Sequence, residues 1–131
     1  LLQEHDGNVP QTQDELLAIP HIGPYASRAV QCFAFDEAIE IVDTNILRLF
    51  ARILGRSVDQ PDIRRNPWVW DEARSILPSE PETAKKHNYG LLDFTAQVCK
   101  PRGPDCPSCP LASACSFGSR VIQGETPTEP W

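Results

Sequence analysis

Four cysteines crowded into one short stretch restrict this chain more than any other feature. Cys99, Cys106, Cys109 and Cys115 give the pattern C-x6-C-x2-C-x5-C within 17 residues, and Pro101, Pro104, Pro107 and Pro110 stiffen the loop that carries them. Thiols packed this densely can converge on one inorganic centre. Two disulfides are the simplest alternative, but no secretory signal opens the chain and the remainder does not look disulfide-dependent. Tetrahedral zinc is a stronger rival, since it takes four thiolates. Zinc modules more often pair two C-x2-C knuckles across a longer gap, however, and only one such pair is present. Four-thiolate iron–sulfur ligation is the preferred reading. Cys32 stands apart on a helical stretch near Phe33 and Phe35 and is expected in the core.

With 131 residues, 40% of them hydrophobic and 23% charged, the chain suits one globular domain rather than a disordered segment. No apolar run approaches the roughly 20 residues of a membrane-spanning helix, so no membrane role is expected. The formal charge of −6 argues against a nucleic-acid partner on average. The average hides a pattern. Arg48, Arg52 and Arg56 stand between Thr44 and Val58 without an acid among them, while carboxylates gather near the start, around Asp36 to Glu40, and from Asp59 to Glu82. Methionine is absent and the chain opens Leu1-Leu2-Gln3, which is the expectation for a fragment or a processed form.

Helix signals dominate, and the expected class is all-α. Thr12 to Glu15 spells a capping box for a short helix ending near Ala18. Pro20 breaks it, His21-Ile22-Gly23 turns, and Pro24 opens a second helix to about Phe35. A third helix is predicted from Asp43 or Thr44 to Gly55, with Ile46, Phe50, Ile53 and Leu54 on one face. Asn66-Pro67 starts a fourth, which ends near Leu77 before Pro78. Thr83 caps a fifth, in which Tyr89, Leu92, Ala96 and Cys99 share a face. Ile39 to Val42 is too brief to carry a sheet. From Ser119 the polar, proline-spaced tail reads as a frayed end or a linker.

Two further stretches bear on function. Ile19-Pro20-His21-Ile22-Gly23-Pro24-Tyr25 is a tight helical hairpin. Such a turn leaves amide N–H groups free at the start of the second helix, where they can hold a phosphate without basic side chains. A plain hairpin with no ligand is the other reading. Asp43, preceded by apolar Ile41 and Val42, is a natural N-cap. It is also placed to be a partly shielded carboxylate whose charge stabilises a cation. The two roles are compatible.

The hairpin at 19–25, Val42-Asp43-Thr44-Asn45 at a helix start and the four-cysteine loop stand in a fixed order. Together they resemble the helix–hairpin–helix DNA glycosylases of the endonuclease III and MutY superfamily, from about Leu1 to Cys115. The cysteine spacing matches that family's [4Fe-4S] loop without an insertion. The resemblance implies a helix–hairpin–helix glycosylase fold that is only partial. Residues 1–42 would end the helical barrel half, with the hairpin at about 13–35; 43–118 would form the helical cluster domain, with the iron–sulfur loop at 99–115; and 119–131 would be the tail.

Residue by residue, the resemblance makes Asp43 the catalytic carboxylate that stabilises the sugar cation as the base leaves and helps position water. Tyr25 falls where bifunctional members carry a lysine, and a tyrosine cannot form a Schiff base. It implies DNA contacts at Pro20, His21, Ile22, Gly23, Tyr25, Lys100 and Arg102, and cluster ligation by Cys99, Cys106, Cys109 and Cys115. The implied activity is monofunctional hydrolysis of the N-glycosidic bond of a flipped, mispaired base in double-stranded DNA. The enzyme would act as a monomer in base-excision repair, in the bacterial cytoplasm or nucleoid or the eukaryotic nucleus. A MutY-like adenine glycosylase is preferred over a thymine–guanine mismatch or endonuclease III-like enzyme, because that family is the broader. A non-catalytic iron–sulfur DNA-binding module and a zinc-stabilised structural module are the alternatives of another class.

This sequence departs from the family at two points. His21 replaces the first hairpin glycine, at a position where His tolerates left-handed geometry better than most residues but less well than glycine. Relatives also need an upstream helical half, which in the adenine branch supplies an acid. Nothing before Gln11 provides it, and Glu4 lies too near the hairpin. The expectation is a C-terminal part with little activity alone.

Overall fold

The structure, a computed structural model, describes residues 6–131, so Glu4 lies outside the described residues. It is all-helical: α1 (Gln13–Leu17), α2 (Pro24–Phe35), α3 (Thr44–Leu54), a 3-10 turn at Ile63–Arg65, α4 (Pro67–Ser75), α5 (Pro81–Gln97) and α6 (Ser116–Ile122), with no strand among the described residues. None of these helices is long and apolar enough to cross a membrane.

Local chemistry accounts for most boundaries. Thr12 accepts the Glu15 N–H at 3.4 Å and its hydroxyl donates back to the Glu15 carboxylate at 2.6 Å, closing the predicted capping box of α1. Pro24 is the first residue of α2, where its missing N–H costs nothing. Asp43 caps α3, and Gly55 ends that helix in left-handed geometry at φ +66°. A Cβ at residue 55 would also lie 2.5 Å from the Ser116 hydroxyl oxygen. Gly55→Ala is therefore expected to lower stability by about 1–2 kcal/mol, as read from the denaturant midpoint.

Helix α3 is the central element and packs on α4, α5 and α6, while α1 packs on α2 and α2 on α5. Around α3, Ile46, Leu47, Phe50 and Ala51 join Cys32, Ile41, Val42, Val58, Val69 and Ala73 in one core. Ile41 and Val42 are thus core residues of a connecting segment. Cys32 is fully buried and accepts from Asn88 Nδ2 at 3.2 Å. Every residue of α3 from Ile46 to Arg52 is buried, whereas Leu54, expected on the inner face, is exposed.

Three other expectations need correction. The cap of α5 is Glu80, whose carboxylate accepts the N–H groups of Glu82 and Thr83; Thr83 instead lies within the first turn and donates its hydroxyl to Glu80. The inward face of α5 is Ala84, Asn88 and Thr95, whereas Tyr89 and Ala96 are exposed. Asn88 and Thr95 tolerate burial because each finds a backbone carbonyl, Ile39 O at 2.9 Å and Leu92 O at 2.9 Å. Finally, the tail does not stand away from the body as a linker. Residues 119–122 complete α6, Pro127 is buried, and the Pro130 carbonyl accepts the Val58 N–H at 2.7 Å.

Candidate functional site

The hairpin is closed by its own backbone: Ile19 N–H donates to Leu16 O and Ile22 N–H to Ile19 O, both at 3.1 Å. His21 turns the chain at φ +69°, so it adopts the left-handed conformation that glycine would otherwise supply. Pro20 and His21 are exposed, and Ile22 and Gly23 half-buried. Gly23 precedes α2 without any side-chain cap. The first N–H groups of α2 therefore have no capping side chain across them, as an anion site requires.

Tyr25, in the first turn of α2, is half-buried against the core. Burial pushes its phenol above the ordinary value near 10, and the charge of Asp43 pushes it further. Tyr25 and Asp43 are thus near enough for the carboxylate's charge to act on the phenol. A raised value keeps Tyr25 a neutral hydroxyl at physiological pH, able to hydrogen-bond but not to act as a phenolate.

Asp43 is half-buried, and both of its oxygens are engaged. One accepts the Ile46 N–H at 2.8 Å, the other Asn45 Nδ2 at 2.8 Å. Capping and orientation are one arrangement. Asn45 in turn accepts from Arg48 Nη1 at 2.9 Å, and Arg48 Nη2 donates to the Cys99 carbonyl at 2.9 Å. One helical turn further, Arg52 Nη1 reaches Cys99 Sγ at 3.4 Å and Lys100 O at 2.8 Å. A hydrogen-bonded line therefore joins the carboxylate at the start of α3 to the cysteine loop.

Sequence reasoning grouped Arg48, Arg52 and Arg56 as one acid-free basic run. The structure separates them: Arg48 and Arg52 are buried, while Arg56 is exposed and stacks 4.7 Å over the Trp68 ring. Burial lowers the Arg48 value, helped by the charge of Arg52. For Arg52 burial acts the same way, but the hydrogen bonds to Glu129 and Cys99 outweigh it and push the value up. Arginine on two consecutive turns of an otherwise apolar helix was the available signal for this interior role.

All five cysteines are free thiols, so no disulfide is formed. Cys99, Cys106, Cys109 and Cys115 line one recess together with Arg52, Leu49, Phe94 and Phe117. Burial pushes the Cys106 thiol up, and Cys115, Cys99 and Cys109 push it further, so the other three sulfurs all act on it. Among the described residues, no three His, Cys, Asp or Glu side chains are grouped to hold a single metal ion. Of the two cations expected on DNA, Arg102 is exposed and Lys100 half-buried, with the Lys100 carbonyl tied to Arg52.

No family model matches the chain. It is 34% identical over 118 residues to a thymine/uracil-DNA glycosylase of Pyrobaculum aerophilum, an alignment covering 89% of this chain and 51% of the relative. An adenine DNA glycosylase of Mycolicibacterium smegmatis is 37% identical over 112 residues, covering 86% of this chain and 37% of the relative. In three dimensions the chain superposes on a thermostable thymine-DNA glycosylase with a TM-score of 0.76 at 32% identity, covering 87% of this chain and 51% of that one. A non-covalent endonuclease III–DNA complex gives a TM-score of 0.78 at 28% identity, covering 94% and 55%. By sequence and fold, the chain belongs to the helix–hairpin–helix DNA glycosylase superfamily. It spans about half the length of the thymine/uracil and thymine glycosylases it matches. Within the glycosylase superfamily both thymine/uracil-specific and adenine-specific enzymes are similar to it, so the adenine preference is not singled out.

Proposed function

We propose that the complete protein is a monofunctional mismatch-specific DNA glycosylase, which hydrolyses the N-glycosidic bond of a base flipped from double-stranded DNA. The observation that carries this reading is the placement of Asp43. Its carboxylate is held by two hydrogen bonds, partly shielded and beside a neutral Tyr25. As the base departs, positive charge grows on the sugar, and a fixed anion nearby stabilises that charge more than it stabilises the substrate. The same carboxylate orients the water that completes hydrolysis. Tyr25 has no amine with which to attack the sugar, so base release leaves the strand intact.

The four thiols suit a [4Fe-4S] cluster. They border one recess, and their C-x6-C-x2-C-x5-C spacing is the one the family resemblance associates with that cluster. Bound there, the cluster would supply iron–thiolate bonds that hold the loop in shape. Arg52 donates toward Cys99 Sγ at 3.4 Å and the Gly118 N–H toward Cys115 Sγ at 3.3 Å, so the chain already sets polar donors at two of the four sulfurs.

DNA would be gripped through phosphates by the hairpin N–H groups of His21, Gly23 and Tyr25, with Pro20 and Ile22 shaping the turn, and by Lys100 and Arg102. Replacing both cations by alanine is expected to weaken binding across all sequences and flatten the log–log salt slope by about 1.8. A titration at several salt concentrations checks this, and an unchanged slope would remove Lys100 and Arg102 from the DNA face. For the base itself, adenine is the proposed target and thymine opposite guanine the second reading, which the 34%-identical thymine/uracil relative favours. Base release from duplexes carrying each mismatch, by the full-length protein, decides between them.

A further inference from the structure

The C-terminal segment is absent from the mechanism above, yet it lies over the cysteine loop and meets a buried arginine there. Arg52 has a side chain only 1% exposed, and its charge is met by Glu129. Three hydrogen bonds join them: Nε to Oε2 at 2.9 Å and Nη2 to each carboxylate oxygen at 2.7 Å. The segment is pinned on both sides of Glu129, by the burial of Pro127 and by the bond from Val58 N–H to Pro130 O. The far edge of the same guanidinium faces the loop. Nη1 on that edge donates to Lys100 O at 2.8 Å and Cys99 Sγ at 3.4 Å, Nη2 also reaches Pro101 O at 3.4 Å, and the guanidinium lies 4.8 Å over the Phe117 ring. Guanidinium is planar and rigid, so fixing one edge aims the other.

We propose that the segment 126–131 is a strap that positions the site, with Glu129 acting through Arg52 to set the conformation of Cys99-Lys100-Pro101-Arg102. This inference rests on the DNA-facing and cluster-binding roles given to that loop. Glu129 is a positioning residue: it touches neither the thiols nor the DNA-facing cations. Its charge holds Arg52 in one orientation, and Arg52 presents the first thiolate and the two cations. The strap also brings Trp131 to a recess that Thr44, Arg48 and Pro101 line with it.

The test uses the full-length protein and Glu129→Gln, which keeps the shape and removes the charge, with Glu129→Asp as the conservative control. Hydrogen exchange is followed peptide by peptide. Losing charge-assisted bonds to a buried guanidinium is expected to speed exchange across 99–102 by at least about tenfold. Peptides from α2 and α4 should be unchanged, and Asp should restore most of the protection. In the same variant the KM for DNA should rise and kcat should hold, because Asp43 is untouched. Iron release to a chelator should also quicken. Unchanged exchange at 99–102 would overturn the strap, and so would acceleration spread evenly over the molecule. The exchange result needs no cluster, so protein isolated without iron and sulfide would count against the cluster reading and leave this test standing.

Discussion

Replacing Asp43 by asparagine in the full-length protein is expected to abolish base release while leaving the fold almost intact. The two effects separate because Asp43 has two roles. As an N-cap it needs only an oxygen to accept the Ile46 N–H, and asparagine caps about as well as aspartate. As a catalyst it needs its negative charge. Opposite unit charges about 4 Å apart interact by about 4 kcal/mol at an effective dielectric constant near 20, which corresponds to roughly a thousandfold in rate. Single-turnover base release should therefore fall by about three orders of magnitude, with the unfolding midpoint nearly unchanged. Wild-type turnover in Asp43→Asn would remove the residue from the mechanism.

The second large effect is expected at the thiols. Cys106 is the most buried of the four, and the other three thiols act on it. Cys106→Ala should prevent stable loading of the cluster. The loop it leaves behind is held by turns, by the two arginines of α3 and by the apolar side chains that line the recess. Metal binding in small sites of this kind contributes on the order of 10 kcal/mol to folding, far more than the loop's remaining contacts can replace. The variant is expected to lose iron, acid-labile sulfide and visible absorbance together, and residues 99–118 should become the first site of proteolysis. Zinc without sulfide in the wild-type protein would contradict the iron–sulfur reading.

Features governed by neighbouring residues were legible before the structure. The capping box at Thr12, Pro24 at the start of α2, Asp43 before α3 and Gly55 after it are short-range chemistry, and each stands where its residue type demands. The spacing of the thiols likewise pointed to one shared recess. What escaped notice depends on partners far along the chain. Arg48 and Arg52 read only as members of an acid-free basic run, because burial of an arginine depends on carbonyls at 99–101 and on a carboxylate at 129. The face of α5 was misread for the same reason: Asn88 and Thr95 go inward only because carbonyl partners await them. Glu129 sits in a polar, proline-spaced tail whose composition resembles a linker. Only its pairing with Arg52 shows that it is part of the body.

The measurement that bears most directly on the central claim is base release by the full-length protein from an end-labelled mismatched duplex, run in parallel with borohydride. The account predicts free base, a strand that breaks only after alkali, and no trapped covalent adduct, because Tyr25 cannot form a Schiff base. Since burial and Asp43 both raise the Tyr25 phenol, no ionisation of Tyr25 should appear in the rate profile below about pH 10. A borohydride-trapped adduct, or binding without any release of base, would contradict it.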